Sequence, residues 1–261
     1  MTTVEISFAR LAFGYALLVI PLAFMLWCRI PMFGATLIAV VRMTAQLLLV
    51  GLYLQVVFDL NSFWLSGLWL LVMIGVADGS IVRGCGLRLT RFFLPLFVAL
   101  LLGTLVPLLF FMGPILQQSN LLDAQYAIPI GGMILGNCLR ADIVGVSQFY
   151  RAVQTGEKVF VHRLAQGARL REATEPFWRE AGQAALAPTV ASMATIGLVS
   201  LPGMMTGVIL GGADPMTAIK YQIAIMIAIL SGTAITVVFA ILLTIKQSFT
   251  RYGMLDTTIF V

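Results

Sequence analysis

The sequence predicts an all-α fold, a polytopic bundle of about seven membrane-spanning helices with the N-terminus outside and the C-terminus in the cytoplasm. Three observations predict it. Sixty per cent of the 261 residues are apolar and only 10% are charged, where a soluble domain carries about 25% charged residues. Mean hydropathy is +1.01. The apolar residues gather into runs that match a bilayer crossing, which takes roughly 20 residues. This composition excludes a water-soluble globule. It also excludes a disordered chain, which needs low hydrophobicity and high charge.

The runs place spans at about 7–28, 35–58, 63–82, 92–113, 125–148, 185–211 and 216–245, with ends placed to about four residues. The first run lacks a basic leader, contains Pro21 and has no small-x-small cleavage site before Arg29, so it reads as a retained span. Orientation follows from the connections. Arg29, then Arg83, Arg88 and Arg91, then the segment from Arg151 to Arg179, then Lys246 and Arg251 occupy alternate connections. The others carry Asp59, Asp123 and Asp214 and no Lys or Arg. Positive charge stays on the cytoplasmic side, which sets the orientation given above. The whole chain, 1–261, reads as one transmembrane domain with a long, helical, cytoplasmic segment at about 149–184.

The +5 charge is explained by these loops and not by nucleic acid, since no basic patch is interleaved with exposed aromatics. Cys28, Cys85 and Cys138 form no C-x-x-C, and His162 is the single histidine, so neither a disulfide framework nor a zinc site is predicted. No G-x-x-x-x-G-K-[ST], G-x-S-x-G or H-E-x-x-H is present. The chain therefore reads as a transporter or channel component rather than an enzyme, with no catalytic residue and no cofactor of its own.

Ionisable and polar residues within spans are costly and mark functional candidates. Arg42 and Gln46 lie one turn apart on the second span, with Tyr53 near the same face. Asp78 lies near the end of the third. Asn137, Arg140 and Asp142 lie on the fifth. All four charges fall in the cytoplasmic half, while Arg10 and Lys220 sit near span ends, where long side chains snorkel. Two readings stand: a polar vestibule open to the cytosol, or structural ion pairs Arg42–Asp78 and Arg140–Asp142. The sixth span contains Gly197, Ser200, Pro202, Gly203, Met204, Met205 and Gly207. Pro202 removes a backbone donor and Gly203 adds freedom, so a kink or unwound stretch is expected there. Its freed carbonyls near Ser200, with Met204 and Met205, offer a soft cation contacts. Close helix packing through the glycines is the plainer alternative.

At these residues the chain resembles the permease subunit of the FetB-type iron-export ABC transporters, a family with plant relatives tied to aluminium tolerance. The resemblance spans about 35–245. It is carried by Arg42-x-x-x-Gln46-Leu47-x-x-Val50-Gly51, Ile128 through Asn137, Gly197 through Gly207, Asp214-Pro215 and Ala218 through Gln222. The resemblance implies a multi-pass permease of the inner (plasma) membrane that forms a homodimer and binds separate cytoplasmic ABC ATPase subunits, which would hold ATP and magnesium. It implies a coupling helix at about Leu164–Phe177, with Gly167, Ala168, Arg169 and Arg171 toward the ATPase. It also implies export of iron or another metal by alternating access, through a cavity lined by spans two, five and six. The E-A-A-x-x-x-G pattern of binding-protein-dependent importers is absent, with Val161-His162-Arg163 before Gly167.

The substrate pathway expected is Arg42, Gln46, Asp78, Asn137, Arg140, Asp142, Ser200, Met204 and Met205. Iron(II) favours imidazole and carboxylate, and the spans hold no histidine and few carboxylates. A chelated metal or an organic anion fits the polar inventory as well as a bare ion. The competing classes are an ATP-independent secondary carrier, a membrane scaffold, and an ABC permease for amino acids.

Overall fold

The computed structural model describes residues 7–60, 62–250 and 253–260. Arg251, expected in the basic tail, and both chain ends lie outside them. The helices are α1 (Phe8–Ala16), α2 (Val19–Trp27), α3 (Phe33–Leu60), α4 (Phe63–Gly84) and α5 (Leu89–Phe110), which runs on into a π-turn at Phe111–Ile115. Then follow α6 (Ala124–Thr155), α7 (Glu157–Ala165), α8 (Leu170–Thr195), α9 (Gly203–Leu210), α10 (Pro215–Ser248) and a 3₁₀ turn at Thr257–Ile259.

Six helical stretches are long and apolar enough to cross a membrane: Ala9–Trp27, Phe33–Leu60, Phe63–Gly84, Leu89–Ile115, Ala124–Thr155 and Pro215–Ser248. They match six of the seven predicted segments. The remaining one, 185–211, is no single helix, because α8 and α9 are separated at 196–202. The fifth segment runs further than predicted. Phe149, Tyr150 and Val153 are buried, so the last two turns of α6 belong to the bundle and not to a solvated connection.

Prolines explain the other interruptions. Pro21 has no N–H for the Leu17 carbonyl, and its ring crowds that carbonyl, so α1 and α2 part at Leu17–Leu18. Pro114 does the same to Phe110. The ladder shifts to five-residue spacing, with Leu116 N–H donating to Phe111 O at 3.0 Å. Asp123 and Asp214 cap α6 and α10, accepting from Gln125 N at 3.0 Å and Thr217 N at 3.1 Å. The acidic residues of these two connections thus serve as helix caps.

The core forms where α10 packs against α5, α6 and α8, with α4 closing the other side of α6. Small residues set the closest approach. Gly103 on α5 faces Gly232 on α10, and a Cβ built on Gly232 would lie 2.5 Å from the Gly103 carbonyl. By contrast α2 buries no residue and α3 buries only Val57. The C-terminal part of α3 packs through Tyr53, Leu54 and Phe58 against Leu65, Trp69 and Met73, with Tyr53 and Trp69 stacked at 4.2 Å.

Three of the basic connections meet at one end of the bundle. Arg88 N–H donates to Ile259 O at 3.0 Å, Arg91 pairs with Asp256 at 2.8 Å, and Phe160 of α7 meets Phe249 at 5.5 Å between ring centres. The tail 253–260 is thereby tied to the α4–α5 turn. Tyr150 and Ser248 share a short hydrogen bond beneath it. The Thr258 hydroxyl and the Arg91 guanidinium hold the Asp256 carboxyl down, from 3.8 to about 2. A depressed carboxylate stabilises the docked tail above its ordinary value, and that stabilisation is lost as pH falls through the folded value. The protection factor of the Thr258 amide, its exchange compared with an unstructured peptide at the same pH, should therefore stay high from neutral pH to about 4 and fall between there and about 2. In Arg91→Ala, exchange should be faster at neutral pH and the acid step should move upward. A flat profile in the parent protein would refute the ion pair as the clasp.

Candidate functional site: a polar cleft beside a broken helix

The break between α8 and α9 is a built structure. Gly197 has φ +86°, a left-handed backbone that side chains disfavour. The chain turns there, and Gly197 N–H donates to Ser200 O at 2.9 Å. Thr195 O accepts from Leu198 N at 3.3 Å and Val199 N at 3.0 Å. Pro202 (φ −63°, ψ 146°) then opens α9. The first backbone bond of α9 is Thr206 N–H to Pro202 O at 3.0 Å. The N–H groups of Gly203, Met204 and Met205 have no partner among the described residues. The interruption expected from Pro202-Gly203 is present, and it extends back to Ile196.

Beside it lies a cleft of about 780 Å³ between α6, α8, the break, α9 and α10. Asn137, Arg140, Ser200 and Met204 of the predicted pathway line it together, with Pro202, Gly203 and Gln222. Asn137 Nδ2 donates to Met133 O at 2.8 Å. Gln222 is only 8% exposed. Met205 is half-buried on α9 and does not line the cleft.

The other predicted residues lie elsewhere. Arg42 and Gln46 are exposed on α3, along a shallow groove with Ala35, Ile38, Ala39 and Met43. Within one chain the cleft is lined by α6, α8, α9 and α10, so span seven takes the place given to span two. Asp78 and Asp142 are fully buried in the core and do not line the cleft either. Thr236 Oγ1 donates to Asp142 Oδ2 at 2.7 Å. Asp142 Oδ1 and both Asp78 oxygens have no hydrogen-bond partner among the described residues.

Neither expected ion pair forms. Among the described residues the ion pairs are Arg91–Asp256 and Arg179–Glu175. Arg140 and Asp142 are two apart on one helix, so they point to opposite sides. Arg42 sits on the part of α3 that stands off from α4. No group of three or more His, Cys, Asp or Glu gathers as a metal site among the described residues.

Sequence reasoning missed Gln222 and Thr236 as site residues. Gln222 carried a signal, an amide in an otherwise apolar span. Thr236 carried none, because threonine is ordinary in a membrane helix, where it bonds its own backbone.

The segment expected to couple to an ATPase forms an elbow at the basic end. Gly167 has φ +88° and turns the chain from α7 into α8. Ala168 packs against the core, while Arg169 and Arg171 are exposed. Arg169 N–H donates to Glu172 Oε2 at 2.8 Å, capping α8. Phe160 and Phe177, 6.3 Å apart, fix the two arms.

Comparison with known proteins gives the lineage. A family model described as "Uncharacterised protein family (UPF0014)" matches residues 8–249. A UPF0014 membrane protein of Synechocystis sp. is 32% identical over 97% of this chain and 97% of its own length. The probable iron export permease protein FetB of Escherichia coli is 32% identical over 83% of this chain and 82% of its own. The protein ALUMINUM SENSITIVE 3 of Arabidopsis thaliana is 30% identical over 87% and 82%. No solved structure matches. An all-helical chain with six candidate spans, matched by this family's model over residues 8–249 and by a UPF0014 membrane protein over 97% of both chains, belongs to the UPF0014 family.

Proposed function

We propose that the chain is the permease subunit of an ABC transporter, exporting iron or another metal from the cytosol by alternating access. The observation that carries this reading is the broken α8–α9 helix flanking a polar cleft. Irregular backbone at membrane depth is tolerated where it lines a cavity, and discontinuous helices are where transporters place their binding sites. The metal comes from the name given to the Escherichia coli relative.

In this reading the Arg-rich end lies in the cytoplasm of the cell's inner (plasma) membrane. The α7–α8 elbow docks on a separate ATPase, which binds ATP and magnesium, and its movement rocks the walls of the cleft. Two permease copies pair. The exposed Arg42 and Gln46 on α3 support pairing, since a guanidinium within a span is covered by protein or water rather than lipid.

The test is co-purification of the tagged chain with a candidate Walker-type ATPase, with hydrolysis assayed with and without iron. A stable complex whose hydrolysis rises with iron is expected, and Arg169→Glu with Arg171→Glu should cut that coupled rate about 10-fold or more, the loss of two charge-assisted contacts. The buried Asp78 and Asp142 favour one other reading, an ATP-independent carrier, because carriers use intramembrane carboxylates as ion relays. Failure to bind any ATPase, with transport that follows a proton gradient, would replace the ABC reading by that one.

A further inference from the structure

We infer that the cleft between α6 and α8–α10 is an oxyanion site, built for a carboxylate- or phosphate-bearing anion, so that a metal cargo enters as its anionic complex. The inference rests on the cleft being the transport cavity.

The donor inventory carries it. Arg140 is the one charged side chain among the lining residues. It forms no ion pair among the described residues, and the two core aspartates are buried and do not line the cleft. Pro202, Gly203 and Met204 put the first turn of α9 on the cleft wall. The N–H groups of Gly203 and Met204 there, and that of Met205 next along the turn, have no partner among the described residues. A helix N-terminus carries partial positive charge and directs its free donors at whatever lies before it. Gln222 is a second, independent sign. Its side chain lines the cleft, is more than nine-tenths buried at 8% exposure, and makes no hydrogen bond among the described residues. Its amide atoms are not among the fully buried, unpartnered ones, so they open onto the cleft, where a polar ligand can reach them.

The backbone carbonyls of Ala191, Ser192 and Thr195 at the end of α8 are already engaged. Thr195 Oγ1 donates to the Ala191 and Ser192 carbonyls at 3.2 and 3.3 Å. Ile196 N–H also donates to Ser192 O, and Thr195 O takes two N–H groups. A bare divalent cation favours carboxylate or imidazole ligands, whereas the described lining of this cleft holds no carboxylate and no imidazole and its charge is positive. Its volume of about 780 Å³ also suits a small organic molecule, the usual range being about 300–1,000 Å³.

The test uses the full chain, purified and placed in nanodiscs of zwitterionic lipid, without any ATPase. Binding is measured for citrate, inorganic phosphate, iron(III)–citrate and iron(II) chloride alone. At least one anion should bind, and iron(II) alone should not. Arg140→Gln should weaken anion binding about 10-fold or more, the loss of a charge-assisted hydrogen bond. Arg140→Lys should keep most of the affinity. Gln222→Leu should weaken it independently. Unchanged elution volume and melting temperature of the ligand-free variants separate binding from folding. Discs containing phosphatidylglycerol identify the source: competition assigns the site to a lipid headgroup phosphate, its absence to a soluble anion, and both support oxyanion chemistry. Binding of iron(II) alone that Arg140→Gln leaves intact, or anion binding indifferent to Arg140→Gln, overturns the inference. Those outcomes leave the ATPase complex untouched, so the permease reading stands or falls separately.

Discussion

Gly232→Val should yield no folded protein, and Gly232→Ala should yield a badly destabilised one. A Cβ at this position would lie 2.5 Å from the Gly103 carbonyl and 2.9 Å from Ile134 Cγ2. The first neighbour is backbone and cannot rotate away. The reciprocal position is as tight, since a Cβ on Gly103 would meet Thr236 Cβ at 2.6 Å and the Gly232 carbonyl at 2.9 Å. Relief requires α5 and α10 to separate, and α10 also packs on α6 and α8, so separation would loosen three interfaces at once. Overpacking a core costs about 1–3 kcal/mol and sometimes more. About 3 kcal/mol is expected for alanine here, read as a fall in melting temperature and in monodisperse yield from detergent. Gly136 and Gly182 are the controls. They lie inside α6 and α8 with nothing within 4 Å of a built Cβ, and alanine there should gain about 0.5–1 kcal/mol through helix propensity. Equal behaviour of Gly232→Ala and Gly136→Ala would show that the helices are not in contact where the structure places them.

Thr236→Val should cost about 3 kcal/mol although it barely changes shape. Thr236 Oγ1 is the one hydrogen-bond donor to the Asp142 carboxylate among the described residues, at 2.7 Å, and both residues are fully buried. Valine keeps the methyl packing beside Gly103 and removes the donor, leaving both carboxylate oxygens without a partner. An orphaned buried group costs about 1–3 kcal/mol, more when charged. Thr236→Ser restores the hydroxyl and should recover most of the loss. In an Asp142→Leu background the same Thr236→Val change should cost far less, because no carboxylate remains to be orphaned. Equal costs in the two backgrounds would mean that the hydrogen bond contributes nothing.

The spans were legible because burial in lipid leaves a one-dimensional record: a run of apolar residues ends where the bilayer ends. The α8–α9 break was legible because Pro202 lacks an N–H and Gly203 lacks a side chain, both local facts. Its reach back to Ile196 was not, because the left-handed turn at Gly197 depends on the bond to Ser200 that closes it. Counting 185–211 as one span followed from hydropathy, which is blind to backbone continuity. The cleft was half legible. Asn137, Arg140, Ser200 and Met204 stand out as polar, charged or helix-breaking, and they do converge. Arg42 stood out equally and lies apart, since what it faces is decided by the packing of α3 and not by its own helix. The pairing of Arg140 with Asp142 failed on helical geometry, which sets side chains two apart on opposite faces. Asp142 and Thr236 are 94 residues apart, and nothing local marks the threonine as its partner.

The central position of α10 has a consequence for biosynthesis. A ribosome delivers α1 to α9 before it delivers the helix around which α5, α6 and α8 assemble. Until Pro215–Ser248 enters the bilayer, the Gly103 notch and the Asp142 carboxylate face lipid or a chaperone, without the groups that later cover them. Nascent chains of this protein should thus linger as loosely associated helices and condense late, in one step, when the final helix arrives. The insertion machinery or a membrane protease has its longest access in that interval. A stop codon before α10 should then leave an unassembled, rapidly degraded product rather than a smaller stable bundle.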